Sequence, residues 1–276
     1  MFKNILKKIR NKFLNPVLIK LNELEDRNNI ILIKLNESEF KINSIINKMS
    51  LNEDIVTING ASFWLPNAPR DLLQNDILIK NNFVEFNVLE DIDKHLNYDS
   101  VVLDIGANIG NHSIYWGKIT KVRKIYAFEP VLSTYHILEK NVELNNLSNK
   151  IKIFNIGLGD KTTYARINNF DPNNIGGTSL KEDKINGDMK IYALDDIDDI
   201  KNEVKIDLIK IDVEGFEKHV LNGGRHTIMK HYPIVFIESF PGEDNYNYTY
   251  NFFKEIGYSE PIMVHHFHYL WTFLKK

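Results

Sequence analysis

The run Val101-Val102-Leu103-Asp104-Ile105-Gly106-Ala107-Asn108-Ile109-Gly110 constrains the fold more than any other segment. An apolar stretch that ends in an acid and two glycines reads as a buried strand turning sharply into a helix. A second apolar strand, Lys124 to Phe128, follows and ends in Glu129-Pro130. Apolar runs without alternation suit strands covered on both faces, which is the situation of a parallel sheet flanked by helices. A glycine loop with a carboxylate at the tip of the neighbouring strand is how such a sheet holds a nucleoside.

The rest of the chain supports that architecture. Further apolar strands are predicted at 151–156, 206–211 and 233–238, alternating with helices at 111–118, 132–145, 215–230 and 246–256. This order argues an α/β fold with a doubly wound, mostly parallel, Rossmann-like sheet. Upstream, Ile55 to Trp64 reads as a hairpin turning at Asn59-Gly60, followed by a helix from Asn82 to Leu96. Residues 160–200 break the rhythm: Thr163 to Ile167 and Met189 to Leu194 read as inserted strands with a polar loop between them. His265 to Lys276 reads as a final strand or pair, antiparallel at the sheet edge.

Residues 1–50 differ from residues 51–276. Leu14, Val17, Leu21, Leu24, Ile31, Leu35, Ile42, Ile45 and Met49 step by threes and fours, with Asn28 and Ser38 filling the series. That heptad seam predicts a coiled coil and hence a homo-oligomer; the alternative is a single helix packing on the rest of the chain. Within residues 1–16, Phe2, Ile5, Leu6, Ile9 and Phe13 share a helical face while Lys3, Lys7, Lys8, Arg10 and Lys12 crowd the remainder. Such a helix suits peripheral contact with an anionic membrane, and equally a solvated helix end.

Bulk properties exclude several classes. A net charge of −3 gives the chain no drive toward nucleic acid. With no cysteine there is no disulfide, thiolate metal site or cysteine nucleophile. No apolar run approaches the roughly 20 residues that span a bilayer, and the N-terminal lysines interrupt any signal-peptide core. The expectation is a cytoplasmic protein, with the basic helix allowing membrane association.

The loop chemistry selects a ligand. A dinucleotide fingerprint needs three glycines as G-x-G-x-x-G, but Asn108 replaces the second and the third is missing. A pyrophosphate is poorly served. Asp104 should sit beside the turn, where its charge would repel phosphate and attract an ammonium group. S-adenosylmethionine has an ammonium, a sulfonium and no phosphate. Glu129 is placed to accept hydrogen bonds from ribose hydroxyls. Asn155, Ile156, Gly157 and Leu158, after the third strand, are candidates for lining adenine. Asp212 and Glu214 follow the fourth strand at the carboxyl edge, where doubly wound sheets place their reaction. A magnesium ion between Asp212 and Glu238 is a secondary option; the expectation is no metal. His265, His266 and His268 give two ligands on one strand face and no third, and read as packing or interface residues.

These blocks match a family as a set. LDIGANIGNHSIYW, AFEP, NIGLGD, GGTSL, ALDDI and IKIDVEGFEKHVLNGG occur in that order, and over about residues 55–270 the chain resembles the FkbM-type methyltransferases of the class I S-adenosylmethionine-dependent fold. The resemblance implies O-methylation of a hydroxyl, often on a sugar or polyketide and often in bacterial glycan biosynthesis. It implies that Asp104, Gly106, Asn108, Gly110 and Glu129 hold the cofactor, with Ala107 and Pro130 inside the same blocks. It also implies that Asp212 and Glu214 lie at the reaction centre. Gly176, Gly177, Thr178 and Ser179 read as a loop over the cleft that meets substrate or acts as a lid.

The reaction so implied is in-line displacement by a hydroxyl, with a base taking the proton as the bond forms. Asp212 or Glu214 is the expected base and His112 the lesser candidate. Two rival readings remain at this point: a nicotinamide-dependent oxidoreductase on the same sheet, and a coiled-coil scaffold whose methyltransferase fold is vestigial.

Overall fold

A computed structural model describes residues 55–242, 244–265 and 267–273. The heptad seam and the basic helix of residues 1–50 lie outside the described residues, as does His266. Among the described residues no helix is long and apolar enough to cross a membrane.

The chain opens with the hairpin β1 (Ile55–Ile58) and β2 (Ala61–Trp64). Asn59 at φ 50° and Gly60 at φ 80° supply the two left-handed residues that a tight hairpin needs. Helices α1 (Leu72–Lys80) and α2 (Phe86–Asp93) follow. A single helix from Asn82 to Leu96 does not form. Asn81 and Glu85 are both left-handed, at φ 46° and 59°, so the chain must break between the two helices. Helix α1 buries Gln74 and Asn75 beside Ile77, which hides it from an apolar-stripe reading.

The main sheet contains β3 (Val101–Ile105), β4 (Lys124–Phe128), β5 (Ile151–Phe154), β10 (Leu208–Ile211), β11 (Ile234–Glu238), β12 (Ile262–His265) and β13 (His268–Trp271). Their spatial order is β12-β13-β11-β10-β3-β4-β5. The five central strands run parallel, and β13 and β12 add antiparallel at the edge. Helices α3 (Asn111–Lys118) and α4 (Leu132–Leu144) lie on the chain between successive parallel strands on one side of β3. On the other side the connection carries α6 (Glu217–Gly223), α7 (Arg225–His231) and then α8 (Asp244–Glu255). One helix was expected over 215–230. It is two, because a Cβ on Gly223 would meet the Gly159 carbonyl oxygen, and Asp195 caps the second helix at the N–H groups of His226 and Thr227.

Each sheet face has its own core. Val102, Ile125, Leu208 and Phe236 pack with Ile114, Trp116 and Leu138. Leu103, Ile209, Ile211 and Val235 pack with Val220, Leu221 and Phe253. Strand order reverses between β3 and β10, so the carboxyl ends of those two strands flank a crevice.

The insertion is a separate four-stranded sheet, with β6 (Gly157–Leu158), β9 (Met189–Tyr192), β7 (Thr163–Asp171) and β8 (Asn174–Glu182) side by side in that order. A 3-10 turn at Leu194–Asp196 and the short α5 (Asp198–Lys201) lead from it to β10. The segment Gly176 to Ser179, expected as a loop, is the middle of β8. Asp71 ties this hairpin down: Oδ1 caps α1 at Gln74 N, and Oδ2 accepts from Ile175 N at 2.8 Å.

Candidate functional site

A cavity of about 250 Å³ opens at the reversal point, between the carboxyl ends of the main strands and the β7–β8 hairpin. Gly106 makes the close approach that the turn requires. It sits at φ +77°, and a Cβ there would lie 1.8 Å from the Asp212 carbonyl oxygen. Gly110, at φ +94°, is packed against Leu138 and starts α3. Asn108, also left-handed at φ 50°, lines the cavity, whereas Ala107 and Gly110 shape the loop without lining it.

Four of the loop's N–H groups have acceptors within the chain. Gly106 and Ala107 donate to the Phe128 carbonyl, Gly110 to Ala107, and Asn108 N to Glu129 Oε2 at 3.0 Å. Glu129 Oε1 accepts from Val131 N at 2.9 Å. Glu129 is thus held at the cavity wall by two backbone donors. Burial pushes its carboxyl up to about 7, against the pull of those donors and of Lys210.

Asp104 is placed differently from the sequence expectation. It is fully buried and does not line the cavity. Ser113 Oγ donates to its Oδ2 at 2.6 Å, and Lys210 Nζ lies 3.4 Å from Oδ1. The ammonium that Asp104 attracts is the chain's own, because the β3–β10 register sets Lys210 directly opposite Asp104. Lys210 also donates to the Gly106 carbonyl at 2.6 Å and lies 3.5 Å from Asp212. Burial opposes its charge, but Asp212, Asp104 and Glu85 outweigh that and raise its pKa. This buried cation pins the glycine turn to the central strand.

Around the cavity stand Glu85, Glu129, Asp212, Glu214 and Glu238, with His112 and His268, and no lysine or arginine among the described residues. Asp212, Glu214 and Glu238 each bring a ligand atom within 4.8 Å of the others, a spacing that could take a cation. Burial, then the charges of Asp212 and Glu217, push Glu214 up to about 7. Burial, then Asp212 and Glu214, push Glu238 up to about 8. Glu217 holds the turn between them, accepting from Gly215 N at 3.0 Å.

His112, expected as a lesser candidate base, is stacked on Trp116 and places Nε2 3.1 Å from Glu85 Oε2. Asn155 donates to the carbonyls of Glu129 and Pro130 and stands behind the wall, while Pro130, Ile156, Gly157 and Leu158 line it. Gly177 and Thr178 line the cavity from β8; Ser179 does not. Thr178 Oγ1 donates to the Ile175 carbonyl at 2.6 Å. Residues the sequence did not single out include Glu85, Asn111, Thr134, Asn174 and Ile191. His268, read as packing, stacks on Phe236 and also lines the cavity.

Fold and cleft together define a doubly wound α/β protein with an acid-walled ligand cavity at its topological switch point. Residues 104–273 match the model of the methyltransferase FkbM domain, and the chain belongs to that family. It is 29% identical over 147 residues to Methyltransferase 1 of Beauveria bassiana (strain ARSEF 2860), covering 45% of this chain and 58% of that protein. It is 29% identical over 154 residues to Methyltransferase sdnD of Sordaria araneosa, covering 44% and 59%. The chain therefore spans less than two thirds of the length of these curated relatives. A solved structure, methyltransferase FkbM from Methylobacillus flagellatus KT, aligns with a TM-score of 0.49 at 18% identity, over 75% of this chain and 57% of that one.

Proposed function

We propose that the chain is an S-adenosylmethionine-dependent O-methyltransferase acting on a hydroxyl of a small molecule or glycan. The observation that carries this reading is the acid-walled cavity: five carboxylates surround it and no lysine or arginine among the described residues does. A phosphate-bearing cofactor would meet repulsion there, whereas a sulfonium and an ammonium are favoured. The N–H groups of Gly106, Ala107, Asn108 and Gly110 are also spent internally.

The residues present fit this cofactor. Glu129 would accept from the ribose hydroxyls, with Asn108, Gly106 and Pro130 beside it, and Ile156, Gly157 and Leu158 would face the base. When bound, the cofactor supplies a methyl group on a sulfonium leaving group. The chain's own part is alignment: Lys210 fixes the turn, and the β7–β8 hairpin contributes Gly177 and Thr178 on the acceptor side. Asp212 and Glu214 stand at the carboxyl edge where the acceptor would enter. No step is assigned to a metal. A family match to methyltransferases does not favour the nicotinamide alternative.

Calorimetry tests the reading. Heat on adding S-adenosylhomocysteine and none with NAD is the expected result. Heat with NAD alone would overturn it, and silence with both would favour a scaffold role.

A further inference from the structure

A second cavity of about 250 Å³ adjoins the first, and the cofactor reading does not use it. Glu214, Glu217, Glu238, Ser239, Phe240 and Asn245 stand on its wall. Glu214 and Glu238 also line the first cavity, so these two side chains form a partition shared by both. Two strand ends build it. Glu238 closes β11, and Glu214 follows β10 where the chain turns through two left-handed residues, Glu214 at φ 51° and Gly215 at φ 96°. Glu217 is buried behind that turn: Oε1 accepts from Gly215 N at 3.0 Å and Oε2 from Asn245 Nδ2 at 2.9 Å. Ser239 is 3% exposed, and its hydroxyl has no hydrogen-bond partner among the described residues. No lysine, arginine or histidine among the described residues lines this second cavity.

We propose that the second cavity holds an ammonium-bearing part of the methyl acceptor, an amino sugar or amino polyol, while a neighbouring hydroxyl of the same molecule faces the donor at the Glu214–Glu238 partition. This rests on the methyl-transfer reading and names the acceptor class within it. A carboxylate oxygen of Glu214 and one of Glu238 lie within 4.8 Å of each other, so a nitrogen about 2.8 Å from each makes two charge-assisted hydrogen bonds. The buried cation nearby is committed elsewhere: Lys210 serves Asp104, Asp212 and the Gly106 carbonyl. Glu238 also meets Asp212, and His268 Nε2 at 4.0 Å, on the side of the first cavity. The crowding of acids has a cost that a cation relieves, since burial and then the neighbouring carboxylates push Glu214 and Glu238 up to about 7 and 8. The volume is several times the roughly 30 Å³ share of a water molecule, room for a ring-sized organic ligand and not only for an ion. Phe240, partly exposed and stacked on Phe267 at 4.7 Å between centroids, adds an aromatic surface suited to C–H groups and to a cation. The Ser239 hydroxyl and the Asn245 amide supply neutral partners for hydroxyl groups.

The same charges decide which atom of the acceptor reacts. A protonated amine has no lone pair to offer a methyl carbon, so carboxylates that keep the amine as an ammonium direct transfer to the hydroxyl. A phosphate in this place would meet Glu214, Glu217 and Glu238 with no lysine or arginine on the wall, so sugar phosphates are rejected.

Calorimetry on the full chain saturated with S-adenosylhomocysteine tests this, using matched glucose and galactose series: the free sugar and its 2-amino, 2-acetamido and 6-phosphate forms. The amino forms should bind at least about tenfold more tightly than the others. Glu214→Gln should shrink that preference. Phe240→Ala should weaken the amino forms by about two- to fivefold and leave S-adenosylhomocysteine affinity within about twofold of wild type, because Phe240 lines the second cavity and not the first. Amino forms that bind no better than the free sugars, phosphate forms that bind as well, or a preference unchanged in Glu214→Gln overturn the proposal. Magnesium chloride that binds and displaces the amino sugar overturns it too, in favour of a metal site. A wild type that binds no S-adenosylhomocysteine overturns the methyl-transfer reading beneath it instead.

Discussion

Glu129 offers a quantitative test of how the cofactor is held. Its carboxyl is pushed up to about 7 by burial, with Lys210 pulling it down and Asp104 pushing it up. Only the anion can accept from both ribose hydroxyls, so apparent affinity follows the ionised fraction. With a pKa of about 7, that fraction is roughly 0.9 at pH 8 and roughly 0.1 at pH 6. The Kd for S-adenosylhomocysteine, measured by calorimetry, should rise about tenfold between those values. Glu129→Gln should weaken binding by about 10- to 150-fold at pH 8, the loss of one charge-assisted contact at about 1.5–3 kcal/mol. The variant should also lose the Glu129 share of the pH dependence. Glu214 and Glu238 titrate nearby in both proteins, so the difference between the two profiles isolates Glu129. Stability should move the other way. The folded pKa is raised above the unfolded value, so keeping the buried anion becomes a growing cost between pH 4.5 and about 7, reaching at most about 3 kcal/mol. Glu129→Gln removes that cost, offset by one backbone N–H left without an acceptor. A variant that melts no earlier at pH 8 yet binds poorly supports the assignment. Affinity within twofold of wild type, or parallel pH profiles, refutes it.

Other perturbations probe the frame. Gly106→Ala forces a Cβ onto the Asp212 carbonyl at a positive φ, and should cost at least about 1–3 kcal/mol, visible as a lower Tm. Lys210→Met leaves Asp104 buried and uncompensated; urea unfolding should show a loss of about 3–5 kcal/mol, largely recovered when Asp104→Asn is added. The heptad seam predicts that light scattering finds an oligomer for the full chain and a smaller species once residues 1–50 are deleted. Cosedimentation with anionic vesicles should depend on residues 1–16 if that helix lies on a membrane surface.

How much of this was legible depended on how local each signal is. Continuous apolar runs placed β3 and β4 at their observed bounds, because strands buried on both faces leave no ambiguity of period. Thr163 to Ile167 was legible as a strand, but the outer half of the β7–β8 hairpin escaped for the opposite reason. That half is rich in asparagine and glycine and is held by register and by Asp71, not by a buried face. Glu129 was readable because a strand tip is a fixed place in the sheet. Asp104 was not, because its partner, Lys210, comes from a strand about a hundred residues later, and only the β3–β10 register brings them together. Strand alternation did send Lys210 to the face opposite Ile209 and Ile211, as observed, and that was the available clue. Glu85 and His268 are likewise joined only through tertiary contact, so neither segment alone carries the signal.

The most direct test of the account is transfer itself: full-length protein, S-adenosylmethionine labelled at the methyl group, and a panel of sugars, sugar nucleotides and lipid-linked glycans. The account predicts label on an acceptor oxygen together with release of S-adenosylhomocysteine. Label on nitrogen or carbon, or hydride exchange with a nicotinamide in place of methyl transfer, would contradict it.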